Sequence, residues 1–195
     1  RQMKFGQRPV VLLAAATVAG LVVAVAAWLN STSIMKTKLP DLKEPAIVIR
    51  KRTRVLEVYD GGRLVSSFST VLGSSPELDK EVEGDGRTPE GEFYVFVKNP
   101  KSRFHLSLGL SYPTPDDAER GLADGLISRE EHDAIIKAAS EKKMPPQKTR
   151  LGGEIYIHGG GISRNWTHGC IALENDEMTA LFEVIPVGTR VTILK

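Results

Sequence analysis

Residues 157–173 read IHGGGISRNWTHGCIAL and contain Cys170, the only cysteine of the chain. His158 and His168, two of the four histidines, lie in the same stretch, and a glycine adjoins each of these three residues. A thiol attacks carbonyl carbons as its thiolate, and a neighbouring imidazole commonly takes the proton. Glycines beside the thiol let backbone N–H groups approach a substrate carbonyl and stabilise its oxyanion. The stretch therefore predicts a nucleophilic cysteine in a catalytic site.

The residue types in this stretch suggest separate roles. His158 is the candidate general base for the Cys170 thiol, and the backbone N–H groups of Gly169 and Cys170 are candidate oxyanion donors. His168 either lines the oxyanion pocket or only shapes the turn, and Trp166 is either an aromatic wall for substrate or a core residue. A buried structural thiol and a strand-end histidine are the simpler alternatives for Cys170 and His158.

Three segments, in this order along the chain, resemble the L,D-transpeptidase (YkuD-type) family. Arg87–Gly91 is similar to the Thr-Pro-x-Gly loop of that family. His158-Gly159, followed by Thr167–Cys170, is similar to its signature of His-Gly, a spacer and Ser/Thr-x-Gly-Cys. Pro186–Ile193 resembles its closing turn and strand. On the basis of these three segments, the domain formed by residues 46–195 is identified as a member of this family.

The resemblance implies a YkuD-like β-sandwich catalytic domain with Cys170 at the end of a groove. It implies that Cys170 attacks the L,D peptide bond of a peptidoglycan stem tetrapeptide, releases D-alanine and passes the acyl group to an amine, either of another stem or of a lipoprotein lysine. Transfer to water would make the enzyme a carboxypeptidase or endopeptidase. Within the site, the carbonyl of Gly159 would orient the ring of His158. No cofactor is expected.

Position 172 departs from the family, which usually has an arginine two residues after the cysteine, whereas this chain has Ala172. Trp166–Leu173 is instead similar to a branch that reads Trp-Thr-x-Gly-Cys-Ile-Ala-Leu. In an extended segment, side chains 170 and 172 point to one face, so the family arginine would lie beside the thiol. Arg164 is the candidate replacement for binding a substrate carboxylate, and a solvated loop arginine is the alternative. The candidate substrate-binding residues are therefore Arg164, Trp166 and Thr167.

Two other functional classes stay open. His158, His168 and Cys170 are three possible zinc ligands, but the spacing lacks a Cys-x-x-Cys or His-x-x-x-His pair, so no metal is expected. A catalytically inactive wall-binding domain is the second alternative. The 26 basic and 24 acidic residues nearly balance, at a net charge of +2, which argues against nucleic acid as a partner. The sequence does not predict the oligomeric state.

The N-terminal part of the chain is apolar. Pro9–Leu29 contains 21 residues without a charge, enough to span a bilayer as a helix. The sequence therefore predicts a short tail (1–8), one N-terminal transmembrane helix (9–29), a polar linker (30–45) and a catalytic domain (46–195) outside the cytoplasm. The alternative is a signal peptide cleaved near Ala24-Val25-Ala26, which also exports the domain.

Short β-rich runs separated by glycine turns predict a mainly β domain. Asp60-Gly61-Gly62 predicts a hairpin between the runs at 54–59 and 64–72. A helix is predicted over Asp176–Val184, with Asn175 as its N-cap.

Residues 114–143 have helical composition inside this β pattern. N-cap signals at Thr114 and Ser128 predict two short helices inserted between strands. The insertion is either a surface decoration or a lid that gates substrate. His132 within it is predicted to be solvated.

Overall fold

The computed structural model describes residues 38–195, so the predicted tail and transmembrane helix lie outside the described residues. Within residues 38–195, no helix has the length and apolar character that crossing a bilayer requires. The described elements are β1 (Pro45–Arg50), β2 (Val55–Asp60), β3 (Arg63–Ser69), β4 (Gly91–Ser102), β5 (His105–Leu110), α1 (Pro115–Ala123), α2 (Arg129–Ser140), β6 (Tyr156–His158), β7 (Ile171–Ala172), α3 (Asn175–Val184) and β8 (Arg190–Leu194).

The strands form one sheet in the order β3-β2-β1-β8-β4-β5-β6-β7. The long strand β4 belongs to both halves, because Gly91–Tyr94 pairs with β8 and the residues from Val95 onward pair with β5. Just after β3, Val71 pairs with Ala172 of β7, at N···O distances of 3.1 and 2.9 Å. This seam joins the two ends of the sheet. The prediction of a mainly β fold with a few helices is confirmed.

The main hydrophobic core receives side chains from every one of these strands and from α3. Ile47 and Ile49 of β1 and Val191 and Ile193 of β8 show the alternation expected of strands with one face in a core. Because β1 and β8 run parallel and pair directly, these four side chains form adjacent rows. The core therefore fixes the centre of the sheet, and the candidate site residues lie toward its β5-β6-β7 end.

The two predicted inserted helices are present as α1 and α2. Thr114 and Ser128 are their N-caps, and each accepts a hydrogen bond from the backbone N–H three residues later. The helices share a small core of their own with Leu151, which follows the insertion. The prediction for His132 is wrong, because its ring is buried between Asp133 and Glu119, at 2.8 and 3.0 Å. The carboxylate of Asp133, and then that of Glu119, raises its pKa.

Two other expectations need correction. The described end of the predicted linker is not a free tether, because Leu39 is buried in the main core and the N–H groups of Lys43 and Glu44 donate to Asp60. Asn175 is the first residue of α3 rather than its N-cap, which is Glu174. The side-chain oxygen of Asn175 instead accepts the N–H of Gly160 at 2.9 Å, so it holds the glycine loop of the site.

A buried lysine fixes the loop that carries the Thr-Pro-x-Gly segment. Lys51 has a relative accessibility of 2%, and its ammonium group donates to the carbonyls of Leu78 and Thr88 and to Glu90, each at 2.8 Å. Thr88 in turn accepts the N–H of Gly73 at 2.9 Å. The ion pair with Glu90 therefore ties the end of β1 to the loop beside the site.

We expect Lys51→Met to destabilise the domain by about 3 kcal/mol, because it leaves a carboxylate and two carbonyls without their cation. Arg50→Met is the matched control, because Arg50 pairs with Glu57 at the exposed surface and such pairs contribute about 0–1 kcal/mol. Urea unfolding monitored by tryptophan fluorescence measures both. Equal losses in the two variants would contradict this account of Lys51.

Candidate active site

Cys170 and His158 line one cleft of about 750 Å³. His158 ends β6, and Cys170 lies immediately before β7, which runs parallel to β6 and pairs with it. Trp166, Thr167 and His168 line the same cleft. The structure therefore brings together most of the residues that the sequence predicts for the site.

The imidazole of His158 is buried and held by one backbone group. Its Nδ1 lies 2.6 Å from the carbonyl oxygen of Gly159, and because a carbonyl only accepts, Nδ1 carries the hydrogen. Nε2 has no hydrogen-bond partner among residues 38–195, so it is the nitrogen that can accept a proton. Burial lowers the pKa of His158, the Gly159 contact raises it, and the charge of Arg103 lowers it further. The ring is therefore neutral at pH 7.

Two aromatic rings, those of Phe104 and Trp166, pack against the imidazole of His158. Phe104 stacks on His158 with ring centroids 4.8 Å apart and planes 24° apart. Trp166 lies 5.4 Å from His158 and 5.2 Å from Phe104, and its Nε1–H donates to the carbonyl of Gly161 at 3.2 Å. Trp166 is thus a wall of the cleft that also packs against the candidate base.

The thiol of Cys170 lies between two backbone groups. The N–H of Tyr156 donates to Sγ at 3.4 Å, and Sγ donates to the carbonyl of Glu154 at 3.3 Å. Burial raises the pKa of Cys170 to about 11, and the N–H of Tyr156 acts in the opposite direction. The thiol is therefore protonated at neutral pH. The structure thus places a neutral thiol and a neutral imidazole in one cleft rather than an ion pair.

The turn before Cys170 is closed by the hydroxyl of Thr167. This hydroxyl donates to the carbonyl of Cys170 at 2.7 Å and accepts the N–H of Gly169 at 3.2 Å. The N–H of Gly169, which the sequence predicts as an oxyanion donor, is bonded within the turn, and its role toward substrate stays a prediction. The hydroxyl of Thr167 likewise builds the turn, and the predicted contact of this residue with substrate stays a prediction. The N–H of Cys170 has no such acceptor among residues 38–195.

Gly169 is required by the shape of the turn. Its φ is +127°, and a Cβ there would come within 2.7 Å of the carbonyl oxygen of Arg87. That carbonyl belongs to the Thr-Pro-x-Gly loop, so two of the segments that carry the family resemblance meet at this point.

The remaining predicted residues lie at the margin. His168 is exposed, and its side chain makes no hydrogen bond within the described residues. Arg164 is exposed and does not line the cleft. Arg103 and Lys101, which no sequence motif singles out, do line it. Both residues lie where β4 turns into β5, and the pairing of these two strands brings them to the cleft although they are far in sequence from Cys170.

Gln147 and Glu154 are two further site residues that the sequence analysis missed. Glu154 has a φ of +54°, which non-glycine residues seldom adopt. Its N–H donates to the side-chain oxygen of Gln147 at 2.7 Å, and the amide nitrogen of Gln147 donates to the carbonyls of Tyr112 and Pro145. Gln147 therefore holds the backbone of Glu154, whose carbonyl accepts the thiol of Cys170.

The inserted helices do not enter the cleft. No residue of α1 or α2, both of which the structure describes, lines it. Arg120 of α1 instead donates to the carbonyls of Lys80 and Glu81, both at 3.3 Å, and Lys80 lines the cleft. The insertion thus supports a loop of the site rather than covering the thiol.

The zinc alternative finds no support in the geometry. Within residues 38–195, no group of three or more His, Cys, Asp and Glu side chains is placed to hold a metal ion. His158, His168 and Cys170 all belong to this part of the chain.

The family model of the YkuD L,D-transpeptidase catalytic domain matches residues 44–193. The chain belongs to the L,D-transpeptidase family. Among proteins whose names mark them as candidate L,D-transpeptidases, it is 30% identical to YqjB of Bacillus subtilis (strain 168) over 155 residues, 77% of this chain and 71% of YqjB. It is 27% identical to YcfS of Escherichia coli (strain K12), over 82% of this chain and 47% of YcfS.

Solved structures show the same L,D-transpeptidase fold. The helical cell shape determining protein Pgp2 of Campylobacter jejuni superposes with a TM-score of 0.54 at 23% identity, over 86% of this chain and 54% of Pgp2. Bd1075 of Bdellovibrio bacteriovorus gives a TM-score of 0.51 at 20% identity, over 80% of this chain and 52% of Bd1075. The chain thus spans about half the length of these two proteins.

We expect Gln147→Ala to move the pH profile of Cys170 alkylation to lower pH. The carbonyl of Glu154 accepts from the protonated thiol, so loosening that residue removes a contact that favours the protonated form. The rate of reaction with iodoacetamide, which follows the thiolate fraction, is measured from pH 6 to 11. Lys148→Ala, an exposed neighbour, is the control. An unchanged midpoint in Gln147→Ala would contradict this role.

Proposed function

We propose that this domain is a cysteine-dependent L,D-transpeptidase that acts on peptidoglycan stem peptides. The observation that carries the proposal is the pair formed by Cys170 and His158, which line one cleft, with Nδ1 of His158 bound to a carbonyl and Nε2 left to take a proton. The family of the chain supplies the reaction and the substrate class. A catalytically inactive wall-binding domain would have no need of this pair.

In the acylation step, Nε2 of His158 takes the proton of the Cys170 thiol as Sγ attacks the scissile carbonyl carbon of the stem peptide. A carbon–sulfur bond forms, and the carbonyl oxygen becomes an oxyanion. The backbone N–H of Cys170 is the candidate donor to this oxyanion. The imidazolium then gives its proton to the departing nitrogen. The carbon–nitrogen bond breaks, D-alanine leaves, and a thioester on Cys170 remains.

In the second step, an amine of another stem peptide attacks the thioester. Neutral His158 takes a proton from that nitrogen and returns one to the thiolate, so the free enzyme is restored. Water in place of the amine gives hydrolysis by the same route, which would make the enzyme a carboxypeptidase or endopeptidase. The identity of the product distinguishes these two outcomes.

The neutral resting state has a chemical consequence. A thiol with a pKa of about 11 is almost wholly protonated at pH 7, so it resists oxidation and adventitious alkylation. At neutral pH, the productive thiolate forms as the proton moves to His158 while substrate is bound. We place the domain outside the cytoplasm because of the uncharged segment Pro9–Leu29 and the proposed substrate. A thiol that resists oxidation suits an enzyme in that oxidising environment.

Cys170→Ala should abolish D-alanine release from a stem tetrapeptide, and Cys170→Ser should be nearly inactive, because a hydroxyl ionises far less readily than a thiol. Mass spectrometry of purified muropeptides after incubation measures release, cross-linking and hydrolysis together. The circular dichroism spectrum is the folding control. Substantial turnover by Cys170→Ala would refute the proposed chemistry. Retention of wild-type turnover in the presence of a chelator is also expected.

His158→Ala should slow acylation by about 10²–10⁴-fold, the range usual for loss of a general base. Trp166→Phe is the matched control, because it keeps an aromatic ring against His158 and Phe104. Trapping of the thioester by rapid quench and mass spectrometry gives the acylation rate. If His158→Ala and Trp166→Phe are equally slow, packing rather than proton transfer is the role of His158.

A further inference from the structure

The cleft contains cations of two kinds. Lys80 is buried and already neutralised, because it forms an ion pair with Asp85 at 2.8 Å and also donates to the carbonyl of Val82. Lys101 and Arg103 are exposed, and neither forms an ion pair within residues 38–195. Within the described part of the chain, these two residues therefore provide the cationic groups of the cleft that have no carboxylate partner.

Arg103 packs on an aromatic ring that also contacts the candidate base. Arg103 and Phe104 form the turn between β4 and β5, and Ser102 pairs with His105 on either side of it. The guanidinium carbon of Arg103 lies 4.8 Å from the centroid of the Phe104 ring, a cation–π contact. The same ring stacks on His158. Arg103 and the imidazole thus pack against one aromatic side chain.

The turn itself is held at both ends. The N–H of Phe104 donates to the hydroxyl of Ser102 at 3.1 Å. His105, at a φ of +75°, places its Nε2 2.8 Å from the hydroxyl of Thr179 in α3. A Cβ on Gly159 would lie 3.0 Å from the carbonyl oxygen of Phe104, so the glycine loop packs closely against this turn. The position of Arg103 relative to the site is therefore set by the fold.

The charge of Arg103 reaches both reacting groups. It lowers the pKa of His158 and the pKa of Cys170, in each case as a smaller effect than burial. Lys80 also lowers the pKa of Cys170, but its charge is already paired with Asp85. An arginine that lines the same cleft as the thiol, and that forms no ion pair within residues 38–195, is suited to a carboxylate, which its guanidinium can bind through two parallel hydrogen bonds.

We propose that Arg103 binds the carboxylate of the D-amino acid that leaves from the stem peptide, and that the Arg103-Phe104 turn thereby selects substrates with a free carboxylate next to the scissile bond. The inference rests on the proposed function, which supplies the D-amino acid as leaving group. It assigns to the β4–β5 turn the role that the sequence analysis assigned to Arg164.

The first test needs no turnover. Cys170 is the only cysteine, so the ratio of its alkylation rates with iodoacetate, an anion, and iodoacetamide, a neutral reagent, reports the charge beside the thiol. Arg103→Gln should lower this ratio about threefold at low salt, and the difference should shrink in 1 M salt. Arg103→Lys should keep most of it. Arg63→Gln, an exposed arginine at the β2–β3 hairpin, is the neutral control. An unchanged ratio in Arg103→Gln, or a loss in Arg164→Gln instead, overturns the proposal.

The second test uses two donor peptides that differ only at the C-terminus, a tetrapeptide with a free carboxylate and its C-terminal amide. Arg103→Gln should lower kcat/KM about tenfold more for the acid than for the amide, because only the acid offers a carboxylate to the guanidinium. Equal effects on both peptides would indicate a structural role and overturn the proposal. If wild-type enzyme releases nothing from either peptide, the proposed function fails, and the alkylation ratio still decides whether Arg103 supplies the charge.

Discussion

The contact of the Cys170 thiol with the backbone of Glu154 and Tyr156 is the interaction on which the site depends. β6 has three residues, so the N–H that donates to Sγ and the imidazole of His158 lie at opposite ends of one short strand. In a strand, two residues span about 6.6–6.8 Å. Pairing of β6 with β7 therefore sets both the depth of the thiol and its separation from the base. A shift of this register by one residue would send His158 to the other face.

This contact also decides the charge state of the site. A thiol that donates to a carbonyl is stabilised as a neutral group, and Sγ of the half-buried Cys170 has such an acceptor at 3.3 Å. The acceptor exists because Gln147 holds Glu154 at a positive φ. A glycine at 154 would adopt the same φ more easily, but it would also be free to leave it. The helical insertion contributes indirectly to the position of Glu154, because Gln147 lies in the segment that leads from α2 to β6.

The sequence predicts the structural features that depend on residues close together along the chain. The β2–β3 hairpin at Gly61-Gly62 and the caps at Thr114 and Ser128 are short-range signals, and the structure contains all of them. Arg103 could not be found in this way, because it reaches the site through the pairing of β4 with β5. Gln147 and Glu154 could not be found either, because their contacts depend on the folded path of the irregular segment between α2 and β6. The hydrogen bond of the Gly169 N–H within the turn could not be predicted for a related reason. The sequence places Thr167 two residues before it, but only the folded turn shows that the hydroxyl accepts that N–H.

Position 172 shows why the cation of this site comes from a turn. Ala172 has no exposed surface, and its N–H and carbonyl pair with Val71 in the seam that joins the ends of the sheet. Thr70 also donates to that carbonyl at 2.7 Å. A guanidinium placed there would have to be buried in the seam or open it, and an unpaired buried charge costs several kcal/mol. A turn at the edge of the cleft can present the same charge to the thiol while keeping it hydrated until a carboxylate arrives.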